Sequence, residues 1–236
     1  MSTTFFYHPQ AALNAHVEFD SAEATHIAKA LRMKSGDSID LTNGEGGLFI
    51  AELDIEKHRV SATIREKKVA FDIQPQLHLG VAPTKNADRM EWLVEKAVEI
   101  GVGQISLLNC AHSERSRISL DRLNRVAVAA LKQSQRTYLP LIHELKEFQS
   151  WIGLVGSGHR FIAHCMDNIQ RESLKHVLTA DESVCIAIGP EGDFDEREVQ
   201  AAMSAGFKSV SLGSARLRTE TAALAAIHTY SLHHQK

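Results

Sequence analysis

The sequence predicts an α/β protein in two parts. A small antiparallel β domain or barrel is expected over residues 1–72. A larger domain built on a mostly parallel sheet is expected over 73–236. Three observations carry this. Short alternating segments, punctuated by Gly and Asn, fill the first seventy residues. After Gln74-Pro75-Gln76, which reads as a linker, apolar strand-like runs alternate with helical patterns. The chain has 236 residues, 44% of them hydrophobic, which suffices for a sizeable core in one large or two small domains.

In the first part, Asp20-Ser21-Ala22-Glu23 has the spacing of a capping box, with Asp20 at the N-cap and Glu23 at N3. A helix should follow to about Arg32, with Ala24, Ile27, Ala28 and Leu31 as its apolar face. Strands are expected at 38–42, 48–53 and 59–65, bounded by Gly36-Asp37 and Asn43-Gly44. In the second part, strands are expected at 77–82, 105–108, 161–164, 184–188 and 209–212. An amphipathic helix should run over 88–100, stopped by Gly101, and another from Ser119 to about Gln135. Further helices are expected near Arg171, Asp195 and Thr219, the second opened by an Asp195–Glu198 capping box. Strands alternating with helices imply a sheet covered on both faces.

Composition excludes several classes. Cys110, Cys165 and Cys185 have no C-x-x-C spacing, so neither a zinc ribbon nor a thioredoxin motif is available. Thirteen histidines include no H-E-x-x-H, and no metal site is expected. The N-terminus has no basic, long apolar leader, and no run approaches the roughly 18 apolar residues of a membrane span. Together with sparse cysteine, this points to a cytoplasmic protein. The formal charge of −3 gives no sign of a nucleic-acid partner by itself. Its distribution does: Arg115, Arg117, Arg122, Arg125, Lys132 and Arg136 stand among only Glu114 and Asp121 over 111–140. A solvated helix face explains such a run equally well.

In an open parallel sheet, ligands sit beyond the carboxyl ends of strands. Two loops there stand out. One follows the apolar run 184–188 and reads Gly189-Pro190-Glu191-Gly192-Asp193-Phe194. It has the make-up of an ordinary βα turn, but also of a loop that lets backbone approach a ligand. The other reads Gly213-Ser214-Ala215-Arg216-Leu217-Arg218-Thr219-Glu220-Thr221-Ala222. Two arginines just before a helix N-terminus oppose the helix dipole, which points to an anionic ligand or a carboxylate partner such as Glu220 or Glu191. Neither loop is a P-loop or a G-x-G-x-x-G turn, which disfavours a nucleotidase and a Rossmann-type enzyme.

These strings resemble the RsmE family, SPOUT-superfamily methyltransferases acting on N3 of a uridine in small-subunit (16S) ribosomal RNA. The resemblance rests on Ile188-Gly189-Pro190-Glu191-Gly192, Glu198, Leu212-Gly213 and Leu217-Arg218-Thr219-Glu220-Thr221-Ala222. It continues through Lys85, Met90-Glu91, Glu95-Lys96-Ala97, Glu99-Ile100-Gly101-Val102, Glu114-Arg115-Ser116 and Gln133-Ser134-Gln135-Arg136 with Pro140. His26-Ile27, Leu31-Arg32-Met33, Gly36-Asp37 and Asn43-Gly44 resemble the family's PUA-like barrel. The chain departs from the pattern at Asp193, where a second glycine is frequent, and at Ala215-Arg216, where arginine then an aliphatic residue is frequent. It departs also near Cys165, where an acidic residue is common, and at Thr3-Thr4-Phe5-Phe6, where a basic one is.

The resemblance implies a C-terminal trefoil knot holding S-adenosylmethionine between three loops. Those loops supply His164, Cys165, Ile188, Gly189, Pro190, Glu191, Gly192, Leu212, Gly213, Ser214, Leu217 and Thr221. It implies a homodimer acting on small-subunit ribosomal RNA, as an assembled 30S particle. The RNA contacts expected are Arg32, Lys34, Lys85, Arg115, Arg117, Arg122 and Arg136. Loss of the N3 proton leaves an anion that a placed cation stabilises, and Arg218 is the candidate. Glu191 is a candidate base, although a loop role suits it better. Glu220 is expected to anchor Arg218 or cap backbone amides, and Thr219 to serve as N-cap. A ribose 2′-O methyltransferase is disfavoured by the Leu217–Thr221 string. A non-catalytic RNA-binding module is disfavoured by the intact Gly189–Gly192 loop.

Overall fold

A computed structural model describes residues 4–57, 59–70, 76–115, 117–156, 158–179 and 183–234. Gln74 and Pro75 of the expected linker, Ser116 and Thr3 lie outside the described residues. The chain forms two compact units. One comprises Met1–Gln74 and Val128–Leu139; the other comprises Pro75–Ala127 and Pro140–Lys236.

The first unit carries β1 (Phe5–Tyr7), β2 (His16–Glu18), α1 (Ser21–Thr25), β3 (Ser38–Thr42), β4 (Leu48–Glu56) and β5 (Arg59–Lys68). The strands form one sheet in the order β1-β3-β4-β5-β2. Its pairings are antiparallel except for β1 against β3. Alternation along β4 and β5 sends Phe49, Ala51, Leu53, Val60, Ala62 and Ile64 into a core shared with Phe6, Ile27, Ile39 and Leu41.

Asp20 caps α1 by accepting from the Ala22 and Glu23 backbone N–H groups. The expected reciprocal bond from Glu23 is replaced, because the Glu23 carboxylate takes the Lys132 ammonium at 2.6 Å. The helix continues as a π-turn (His26–Ala30), which rotates Leu31 to 39% exposure, off the predicted apolar face. Val128–Leu139 joins this unit through backbone: Gly46 N–H donates to Thr137 O and Leu139 N–H to Gly44 O.

The second unit contains β6 (Leu77–Val81), α2 (Ala87–Ile100), β7 (Gln104–Asn109), the start of α3 (Leu120–Ser134), β8 (Leu141–Glu147) and α4 (Phe148–Ile152). It continues with β9 (His159–Ala163), β10 (Glu172–Ser173), α5 (Leu174–Val177), β11 (Val184–Ile188), α6 (Glu196–Ser204), β12 (Lys208–Ser211) and α7 (Thr219–His234). The seven strands lie in the order β10-β12-β9-β11-β6-β7-β8, and every pairing is parallel. β11 is fully buried, as its unbroken apolar run predicts. Alternation along it places Cys185 and Ala187 against α4 and α6, through Phe148, Trp151, Val199 and Ala202. α7 packs on β6, β11 and α2. Both faces are therefore covered, and the carboxyl ends of the strands remain for a site.

Candidate active site

The carboxyl ends of β9, β11 and β12 open onto one cavity of about 600 Å³. That is within the range of pockets that hold a small organic ligand. Its wall comes from three loops. The first supplies His164, Cys165, Asp167 and Arg171; the second, Ile188 to Glu191 and Asp193; the third, Leu212 to Thr219.

Ten of the predicted cofactor-loop residues line it: His164, Cys165, Ile188, Gly189, Pro190, Glu191, Leu212, Gly213, Ser214 and Leu217. Two do not. Gly192 turns toward His112, whose Cβ lies 3.0 Å from where a Cβ on Gly192 would stand. Thr221 is exposed within α7, off the cavity wall.

The loops are tied by their own polar groups. The Thr219 hydroxyl donates to Gly189 O at 3.0 Å, so this residue bonds outward to the neighbouring loop. Asp195 and Glu198 form the predicted capping box, and Glu198 Oε1 also accepts from Ala111 N–H at 2.9 Å. Asp193 occupies the left-handed region at φ 66°, a conformation aspartate tolerates better than most residues. Its Oδ2 accepts from Cys165 N–H at 2.8 Å and its Oδ1 from Phe194 N–H at 2.9 Å. Asp193, where the resemblance leads one to expect a glycine, thus spans two of the three loops.

His164 is 4% exposed. Its Nδ1 accepts from Met166 N–H at 3.2 Å, which leaves the proton on Nε2, 3.1 Å from Ser209 Oγ. Burial, helped by the charge of Arg171 and opposed by Asp193, holds its pKa below the ordinary histidine value. The ring is a neutral wall element. Gly189 leaves room for Phe194, because a Cβ there would approach the phenyl ring at 3.0 Å. Apolar surface comes from Ile188, Val210, Leu212 and Leu217, the kind of slot that accepts an adenine ring.

The predicted catalytic residues separate. Arg218 lines the cavity, is exposed, and has no ion-pair partner among the described residues. Glu191 also lines it, with Oε1 accepting from Lys85 N–H at 3.1 Å. Glu220 departs from expectation. It is 6% exposed, off the cavity wall, and pairs with Arg89 of α2 at 3.5 Å instead of Arg218. One helical step from Thr219 turns its side chain toward α2. Its Oε2 is buried without a hydrogen-bond partner among the described residues.

The basic band is less free than local counting implies. Arg122 pairs with Glu91 at 2.6 Å and Lys132 with Glu23, both carboxylates distant in sequence. Lys85 pairs with Glu114 at 2.7 Å. Arg32, Lys34 and Arg117 are exposed, whereas Arg115 and Arg136 are half-buried. The band also divides at 127/128 between the two units.

Asp167 and Arg171, which line the cavity, were not legible as site residues, although both follow the carboxyl end of a predicted strand.

The comparisons agree with this geometry. An RNA methyltransferase domain family matches residues 72–231, and an RNA methyltransferase PUA domain family matches 19–65. The ribosomal RNA small subunit methyltransferase E of Buchnera aphidicola subsp. Acyrthosiphon pisum is 30% identical over 89% of this chain and 85% of its own. That of Rickettsia conorii is 29% identical over 94% and 92%. A crystal structure of a probable rRNA-methyltransferase from Porphyromonas gingivalis superposes with a TM-score of 0.87 at 36% identity, covering 97% of this chain and 98% of that one. The methyltransferase E of Neisseria gonorrhoeae, bound to S-adenosyl methionine, gives 0.77 at 28% identity, covering 95% of each. With a domain match across most of the chain and relatives aligned nearly end to end, the protein belongs to the ribosomal RNA small subunit methyltransferase E family.

Proposed function

We propose that this chain transfers a methyl group from S-adenosylmethionine to N3 of a uridine in small-subunit ribosomal RNA. The observation that carries the reading is the three-loop cavity with Arg218 on its wall, unpaired among the described residues. The residues fit the cofactor. The apolar slot suits the adenine, and the exposed Gly213 offers backbone for hydrogen bonds. Ile188, Pro190, Leu212 and Leu217 would hold the ring, with His164, Cys165 and Ser214 completing the wall.

Bound there, the cofactor supplies an electrophilic methyl on a sulfonium. The chain contributes placement and charge. The N3–H proton of uracil passes to solvent water before or during attack, and the negative charge spreads to both carbonyl oxygens. Arg218, without a carboxylate partner among the described residues, stabilises that charge. Holding the base in line with the methyl lowers the entropic part of the barrier. Glu191 acts in this reading as a loop residue fastened to Lys85 N–H, and Glu220 as a buried anchor between α7 and α2.

The division proposed is 1–72 for RNA grip and 73–236 for catalysis, with the C-terminal segment knotted. Arg32, Lys34, Lys85, Arg115, Arg117, Arg122 and Arg136 serve as the RNA contacts, arginine suiting phosphate through its planar fork. The working form is a cytoplasmic homodimer acting on an assembled 30S particle, which doubles a modest basic surface. No helix among the described residues is long and apolar enough to cross a membrane.

Titration calorimetry with S-adenosylmethionine tests the reading. Binding in the micromolar range supports it, and absence of heat at millimolar cofactor contradicts it.

A further inference from the structure

The cavity's ionic groups differ in how they are held. Asp193 has both carboxylate oxygens committed to backbone N–H groups, and Glu191 has one committed to Lys85. Arg216 and Arg218 are exposed side chains on the third loop, with no ion-pair partner among the described residues. Arg171 is different. Its side chain is 25% exposed, and its Nη1 donates to His164 O at 2.7 Å, so the guanidinium is fixed against the first loop. Its Nη2 lies 3.6 Å from Asp167 Oδ1, and Asp167 is fully exposed. That separation is too long for a hydrogen bond. Neither partner therefore saturates the other.

A fixed cation and an exposed, loosely paired carboxylate thus stand side by side at one edge of an apolar slot. A ligand end that complements both carries an anion and a cation on neighbouring atoms, which is the form of an α-amino acid. We propose that Arg171 and Asp167 form the subsite for the aminoacyl end of S-adenosylmethionine. The α-carboxylate pairs with the remaining N–H edge of Arg171, and the α-ammonium pairs with Asp167. This deepens the cofactor reading above and rests on it.

Three physical points favour the assignment. Guanidinium meets carboxylate through paired N–H donors, a geometry that ammonium lacks. The bond to His164 O orients the fork before the ligand arrives, which reduces the ordering cost on binding. The ligand's two charges would alternate in sign with the protein's two, so each charge meets an opposite neighbour. Recognition through this pair also leaves Arg218 available to the RNA base.

The test is calorimetry on the full chain with two probes. S-adenosylhomocysteine carries the amino-acid end, and 5′-methylthioadenosine lacks it. Arg171→Gln is expected to weaken S-adenosylhomocysteine at least tenfold and to change 5′-methylthioadenosine less than twofold. Asp167→Asn, at a fully exposed position, is expected to weaken only the former, about threefold or more. Equal loss for both probes in Arg171→Gln, with no selective loss in Asp167→Asn, would overturn the subsite. So would unchanged affinity for S-adenosylhomocysteine in both variants. Failure of the wild-type chain to bind either probe contradicts the cofactor reading itself, a separate result from failure of the variants to discriminate.

Discussion

The Thr219 hydroxyl donates a hydrogen bond to Gly189 O at 3.0 Å, joining the first residue of α7 to the loop after β11. Both residues are buried. The bond sets the distance between two walls of the cavity. Thr219→Val keeps the shape but leaves the Gly189 carbonyl unpaired, at a cost of about 1–3 kcal/mol. Urea denaturation should show that loss, and calorimetry should show weaker cofactor binding. Thr219→Ser should restore both.

Asp193 combines two effects of opposite sign. Its φ of 66° is strained for most side chains, while its carboxylate bridges Cys165 and Phe194. Asp193→Ala loses the bridge and keeps the strain. Asp193→Gly loses the bridge and relieves the strain. The alanine variant should therefore be less stable than the glycine variant by about 1 kcal/mol. Both should bind cofactor more weakly than wild type, because the Cys165 loop loses its anchor. Urea denaturation measures the stability difference, and calorimetry measures the affinity loss.

His78 predicts an acid-sensitive fold. Burial, with a further contribution from His143, lowers its pKa from 6.5 to about 4. Its Nε2 lies 2.8 Å from Ser106 Oγ, and its ring meets Trp151 edge-on. Between these values the unfolded chain binds more protons than the folded one. Stability therefore falls as pH drops from about 6.5 toward 4, and this contribution is gone below 4. The loss is on the order of 3 kcal/mol. His143, also lowered, acts in the same direction. Replacing His78 with Asn should flatten the pH dependence of urea midpoints across this window.

How much of this was legible depends on what each segment interacts with. β11 matches its predicted bounds because five apolar residues between turn signals, three of them β-branched, are too few for a helix and suit a buried strand. The Asp195–Glu198 capping box is local, and it forms as its spacing predicts. Segments whose partners are remote were not legible. β1 and β2 have three residues each, too few for periodicity. β8 is an edge strand, with Leu141 59% exposed and glutamate, histidine and lysine interleaved. α4 is five residues whose helicity rests on Trp151 and Phe148 filling the face of the sheet. Local charge counting missed Glu91 and Glu23, which reach the basic band only through the fold. At the site, the glycine loops were readable because turn chemistry is local. The Arg171–Asp167 pair was not, since only the cavity shows that both face one ligand space.

The central claim is methyl transfer to uridine N3 with Arg218 as the charge-stabilising group. Mass spectrometry of nucleosides from small-subunit ribosomal RNA, incubated with enzyme and S-adenosylmethionine, tests it most directly. Wild-type enzyme should produce 3-methyluridine. Arg218→Ala should produce at least about a hundredfold less while binding cofactor within a few-fold of wild type. Methylation at ribose 2′-O, no methylated uridine from the wild type, or equal turnover by the Arg218→Ala variant would contradict the account.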